Sequence, residues 1–276
     1  MPRIDSHQHF WKFDPVRDAW ITDDMSTIRK DFFPQQLQPI LAGNGFEGCV
    51  TVQSDQSEDE NAFQLANADQ HDFIRGIVGW VDLRSENIRE RLSYYKQFKK
   101  LKGFRHILQG EKQRDLMLQL DFLNGIGALQ EFNYSYDILV YPDQLVFIKE
   151  FVKQFPKQKF VVDHLAKPYI KDGKIDKWKK EIEDVAAFEN VFCKISGYVT
   201  EADWHNWKQE DFRPYFDVVV NAFRVERIMF GSDWPVCLLG GNYSEILNIA
   251  TTYFSAFTKD EQEKIFGDNA IKFYNL

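Results

Sequence analysis

Residues 159–197 read KFVVDHLAKPYIKDGKIDKWKKEIEDVAAFENVFCKISG, and the period of the pattern changes twice within them. The runs 159–165 and 191–197 are short, rich in β-branched and aromatic residues, and end in polar ones, which is the pattern of a strand. Between them, 174–189 has helical spacing. A strand, a helix and a second strand in this order form a βαβ unit, whose two strands run parallel.

The same succession extends in both directions. Strands are predicted at 3–9, 47–54, 74–82, 101–107, 135–141, 159–165, 191–197 and 227–232, with helical segments at 58–71, 86–100, 111–126, 143–155, 174–189, 205–223 and 242–256. A last helix, Lys259 to Tyr274, follows a Thr258-x-x-Glu261 capping pattern and is expected to close the barrel from outside. Eight parallel strands close a barrel, and such a barrel typically takes about 250 residues. The 276 residues are therefore expected to form a single α/β domain, 1–276, with the (β/α)8 TIM-barrel fold. The long segment 10–42 carries Trp11, Trp20, Phe32 and Phe33 and is read as a loop that lids the site.

Composition narrows the function. A formal net charge of −8 argues against a nucleic-acid partner, which needs a concentrated basic face. No run approaches the roughly 20 apolar residues of a membrane span. The N-terminus has no signal-like apolar run, and the three cysteines are odd in number and far apart, so a cytoplasmic location is expected.

In a parallel barrel the C-terminal strand ends converge on one face, where catalytic side chains gather. His7 and His9, two apart on the first strand, point to the same face and can bind one metal or donate to one oxyanion. Asp233, in Gly231-Ser232-Asp233-Trp234-Pro235, leaves the eighth strand, which neighbours the first on closure, so the three meet in space. His164 ends the sixth strand; strict alternation would put it with Val162, opposite Asp163. Arg105 and His106 end the fourth strand on opposite faces, and an arginine fork suits paired substrate oxygens. Asp233, His164, His7 and His9 are the catalytic candidates. Arg105, His106, Gln53, Trp80, Lys167, Trp11 and Trp234 are the substrate-binding candidates.

Taken together, Ile4-Asp5-Ser6-His7-Gln8-His9-Phe10-Trp11, Gly103-Phe104-Arg105-His106, Val162-Asp163-His164-Leu165-Ala166-Lys167-Pro168, Lys194-Ile195-Ser196-Gly197 and Phe230-Gly231-Ser232-Asp233-Trp234-Pro235 resemble the amidohydrolase superfamily. The resemblance is to its amidohydrolase-related family 2, in the sugar-lactonase branch that acts on L-fucono- and L-rhamnono-lactones. It implies hydrolysis of a sugar lactone, with Asp233 as general base toward water and His7, His9 and His164 polarising the carbonyl. Metal-rich members of the superfamily carry a bridging Lys or Glu on the fourth strand and a His on the fifth. Here those strand ends offer Arg105-His106 and Asp137, so a two-metal site is not expected. One divalent ion such as Zn, held by His7, His9 and Asp233, and a metal-free site both stay open. So do two other functions, a metal-dependent decarboxylase of the same superfamily and a non-catalytic sugar-acid binder. Oligomeric state also stays open, with a homodimer among the options.

Overall fold

A computed structural model describes residues 1–276. Its strands are β1 (Ile4–Gln8), β2 (Gly48–Val52), β3 (Ile74–Gly79), β4 (Leu101–His106), β5 (Ser135–Ile138), β6 (Phe160–Val162), β7 (Val191–Ile195) and β8 (Ile228–Phe230). They form one eight-stranded sheet in chain order, every neighbouring pair parallel. Between and after them run α1 (Pro34–Gly43), α2 (Glu58–Gln70), α3 (Ile88–Tyr95), α4 (Leu120–Phe132), α5 (Leu145–Lys153), α6 (Asp176–Ala186), α7 (Gln209–Phe223) and α8 (Tyr243–Phe254). The fold is a (β/α)8 TIM barrel. No helix is long and apolar enough to cross a membrane.

Helices α2, α4, α6 and α7 pack on the strands. In α6 the buried residues are Trp178, Ile182, Val185 and Ala186, spaced so that they share one face of the helix. The expected helix 111–126 is displaced: 111–119 holds only a short 3-10 turn, and α4 begins at Leu120. Side chains claim the backbone there, since Arg114 donates to the Gln109 and Glu111 carbonyls and Gln144 donates to the Leu108 carbonyl. The last third of segment 10–42 is α1, and Trp11 pairs with Phe32 in an isolated antiparallel bridge.

The seam between β1 and β8 closes just beyond the two strands. Asp233 N–H donates to the His7 carbonyl (2.8 Å), and His9 N–H donates to the Trp234 carbonyl (2.7 Å). The buried Asp5 carboxylate adds a second fastening, accepting from Ser232 N–H (2.9 Å), His7 N–H (3.1 Å) and the Tyr243 hydroxyl (3.1 Å). Closing the barrel thus aligns the backbones of three catalytic candidates, His7, His9 and Asp233.

Below the mouth the interior is layered. An apolar cluster joins Ile4, Val50, Val78, Val161 and Met229 to Phe273 and Tyr274 of the last helix, Asn269–Tyr274. The Tyr274 hydroxyl donates to Asp137 (2.7 Å), the entry to a buried ionic layer of Asp137, Lys194, Asp163 and Arg105.

Candidate active site

His7 and His9 face one point, their Nε2 atoms 3.2 Å apart and both rings buried. Asp233 reaches that point from a left-handed backbone (φ 58°). Its Oδ1 lies 3.3 Å from His9 Nε2, 3.8 Å from His7 Nε2 and 3.9 Å from His164 Nε2. Gly231 makes the approach of β8 to β1 feasible, because a Cβ there would sit 2.6 Å from His7 Cβ.

His164 arrives by a route that strand alternation misses. Val161 belongs to the interior cluster, Asp163 points the same way into the ionic layer, and Val162 packs in the outer core. Alternation alone would send His164 outward with Val162. The chain instead leaves the extended conformation, and His164, Leu165, Ala166 and Lys167 take φ of 55°, 54°, 56° and 52°. Lys167 N–H closes this left-handed turn on the His164 carbonyl (2.7 Å). Each non-glycine residue so placed costs about 1–2 kcal/mol, so the surroundings must hold it. Trp178 Nε1 donates to the buried Leu165 carbonyl (2.8 Å), and Ser196 Oγ lies 2.9 Å from His164 Nδ1. Gly197 leaves the space for the imidazole.

The ionic layer carries His7 from below. Its Nδ1 is 3.1 Å from Lys194 Nζ and 3.3 Å from Asp163 Oδ1. Lys194 also donates to Asp137 (2.5 Å) and Asp163 (3.0 Å), and Arg105 to Asp163 (3.0 Å). Burial pushes the Asp163 carboxyl up, but Lys194, His7 and Arg105 outweigh it and hold the group well below the usual carboxylate range. Burial pulls His7 and His164 well below the usual imidazole value. Burial likewise raises Asp233, yet His164, His9 and Lys167 reverse the shift and keep it anionic.

Above these groups opens a cavity of ≈ 510 Å³. Of the expected residues it is lined by His9, Arg105, His164, Lys167, Asp233 and Trp11, with His7 just beneath. Gln53, Trp80, His106 and Trp234 do not line it. Gln53 accepts from Arg105 through its carbonyl and side chain and so fixes the guanidinium. His106 turns to Glu111 (2.8 Å) and meets the edge of Phe122, whereas Trp234 packs on Phe10 and Phe32. The Trp80 backbone is clamped by Asn61. The wall also includes Trp20, Met25, Gln109, Tyr141, Glu201 and Trp204. Trp20 was visible as an aromatic in the long segment; Gln109 and Glu201 lie in loops after β4 and β7 with no pattern to mark them. A shallower groove of ≈ 560 Å³ meets the cavity at Thr200, Glu201 and Trp204 but holds none of the strand-end residues.

The donor set fits a cation. His9 Nδ1 faces the Val52 carbonyl at 2.8 Å, and a carbonyl only accepts, so Nδ1 carries the proton, and in the neutral ring Nε2 presents a lone pair. That lone pair points at Asp233 Oδ1, another acceptor, a contact that a cation or a proton between them relieves. Ligands about 2.0–2.1 Å from a tetrahedral zinc stand about 3.3–3.4 Å apart, close to the shorter separations here. Ligand atoms of His7, His164 and Asp233 all lie within 4.8 Å of one another, which brings His164 into the set expected from the sequence.

A family model described as "Amidohydrolase" matches residues 4–276. An L-fucono-1,5-lactonase of Burkholderia multivorans is 35% identical, the match spanning 99% of this chain and 96% of the relative. An L-rhamnono-gamma-lactonase of Scheffersomyces stipitis is 27% identical over 65% of this chain and 60% of its own length. The crystal structure of an amidohydrolase from Burkholderia multivorans with bound zinc superposes with a TM-score of 0.97 at 35% identity, covering 100% of both chains. With the fold, the paired histidines and the strand-eight aspartate all in place, this chain belongs to the amidohydrolase family.

Proposed function

We propose that this chain is a hydrolase of carboxylic esters that opens the lactone ring of a sugar acid of the L-fucono- or L-rhamnono-lactone kind. The observation that carries the reading is an anionic Asp233 ringed by three imidazoles at the floor of an aromatic-walled cavity. The similarity to an L-fucono-1,5-lactonase over nearly the whole chain supports it.

Asp233 takes a proton from water as the water oxygen attacks the lactone carbonyl. Negative charge then grows on the carbonyl oxygen, where the Arg105 guanidinium, 3.4 Å from His7 Nε2, stabilises it. When the ring C–O bond breaks, the leaving alkoxide recovers the proton from Asp233. A divalent ion held by His7, His9, His164 and Asp233 would add Lewis-acid polarisation and acidify the water. Arg105, Lys167 and Trp11 contact the substrate from the wall. On this reading the enzyme serves sugar-acid metabolism, and its three buried free cysteines suit the cytoplasm.

The test is acid release from a panel of aldonolactones, followed with a pH indicator, with and without chelator. Acceleration over the spontaneous rate is expected for L-fucono- or L-rhamnono-lactone. A panel with no acceleration, in the presence of zinc as well, would overturn the proposal, and the chelator arm reports whether a metal takes part.

A further inference from the structure

We propose that Lys167, Glu201 and Gln109 form a hydroxyl-recognition subsite that makes the enzyme select polyhydroxylated lactones over unsubstituted ones. This rests on the lactonase reading and goes on to say which part of the wall reads the substrate.

Lys167 Nζ and Glu201 Oε1 pair at 3.0 Å with side chains only 16% and 18% exposed, and both line the cavity. The pair is set across two elements. Lys167 ends the left-handed turn after β6, and Glu201 ends the short 3-10 turn Val199–Glu201 after β7. In a turn of three residues, side chains three apart lie one above the other. His164 and Lys167 therefore face the cavity from one rigid piece of backbone, with a fixed distance from the reacting carbonyl to the charged pair.

The chemistry of the pair matches a polyol. The ammonium donates, and the carboxylate accepts from adjacent hydroxyls. Burial lowers the Lys167 pKa but Glu201 more than restores it, so the ammonium stays charged and offers the stronger, charge-assisted hydrogen bonds. Gln109, from the loop after β4, supplies a separate sign: its Oε1 is buried, has no hydrogen-bond partner in the protein, and belongs to a residue of the cavity wall. A substrate hydroxyl satisfies it. Trp20, Trp204 and Tyr141 offer flat apolar faces for the C–H side of a sugar ring.

The experiment compares kcat/KM for a polyhydroxylated six-membered aldonolactone with that for δ-valerolactone, in the wild type, Glu201→Gln and Gln109→Leu. The quantity read is the ratio of the two, which cancels any loss of folded enzyme. The ratio is expected to fall 10- to 100-fold in Glu201→Gln and three- to tenfold in Gln109→Leu, with KM for the hydroxylated ring carrying most of the change. Ratios within twofold of wild type in both variants would overturn the subsite while leaving the lactonase reading intact. A wild type that opens neither ring would overturn both.

Discussion

Gly197→Ala tests how closely the position of His164 is set. Gly197 has φ 59°, and a Cβ built on it would lie 2.4 Å from His164 Nδ1 and 2.7 Å from Cγ. Ordinary contact begins near 3.4 Å, so the ring must retreat by about 1 Å or the β7 loop must move with it, and a misplacement of that size costs about 10²-fold in rate. Retreat also stretches the bond to Ser196 and shifts Nε2 away from Asp233. The left-handed backbone adds about 1–2 kcal/mol of destabilisation in an alanine, a fall in Tm of about 2–8 °C at the 2–4 °C per kcal/mol usual for domains of somewhat smaller size. Steady-state kinetics on the lactone identified by the panel, with thermal melting, measures both. Gly43→Ala is the control: a Cβ there meets nothing within 4 Å, and it should leave kcat/KM unchanged. A Gly197→Ala enzyme within threefold of wild-type kcat/KM would refute the reasoning, because the ring would then tolerate displacement.

Asp233→Asn keeps the shape of the side chain and removes the proposed base, so kcat should fall on the order of 10²-fold or more while product binding, read by calorimetry, survives; a fall below threefold would remove Asp233 from the chemistry. Lys194→Met leaves Asp137 and Asp163 buried side by side without their shared cation, and should destabilise by on the order of 3–5 kcal/mol in chemical denaturation; a loss under 1 kcal/mol would show the layer is not held by charge. Glu60 is raised above its ordinary value by burial, against donors from Gln64 and Ser54. The native state therefore keeps a proton the unfolded chain has lost, and this group's contribution to stability declines as pH rises from its ordinary value through the raised one. Glu60→Gln should flatten the Tm-against-pH profile in that window, and identical profiles would contradict the assignment.

The features legible in the sequence are those with fixed geometry. His7 and His9 share a face because a strand has a period of two, and Asp233 meets them because the first and last strands of a barrel adjoin. His164 stands out in the sequence as a strand-end histidine, but alternation does not place it. Alternation pairs it with Val162, and only the left-handed turn reverses it; Leu165 and Ala166 carry no signature of such a backbone, which glycine or asparagine usually announces. The ionic layer left a fainter trace. Lys194 inside the apolar run VFCKI and Asp137 inside SYDI were visible as charges in strands, but that they neutralise each other beneath His7 depends on contacts between β5 and β7, which do not pair directly. The wall residues Gln109 and Glu201 sit in short 3-10 turns of the loops after β4 and β7, where sequence carries little positional information.

The seam described above also bears on how the protein comes alive. His7 and Asp233 are separated by most of the chain, and the contacts that align them are the ones that join its two ends into a ring. Such distant contacts pay the largest loop-closure entropy and form late. Catalysis should therefore be the final property to emerge during refolding, trailing the recovery of helical signal, and a chain nicked between the halves should stay inert until the pieces reassociate. Enzymatic turnover then serves as a reporter on completion of the ring itself.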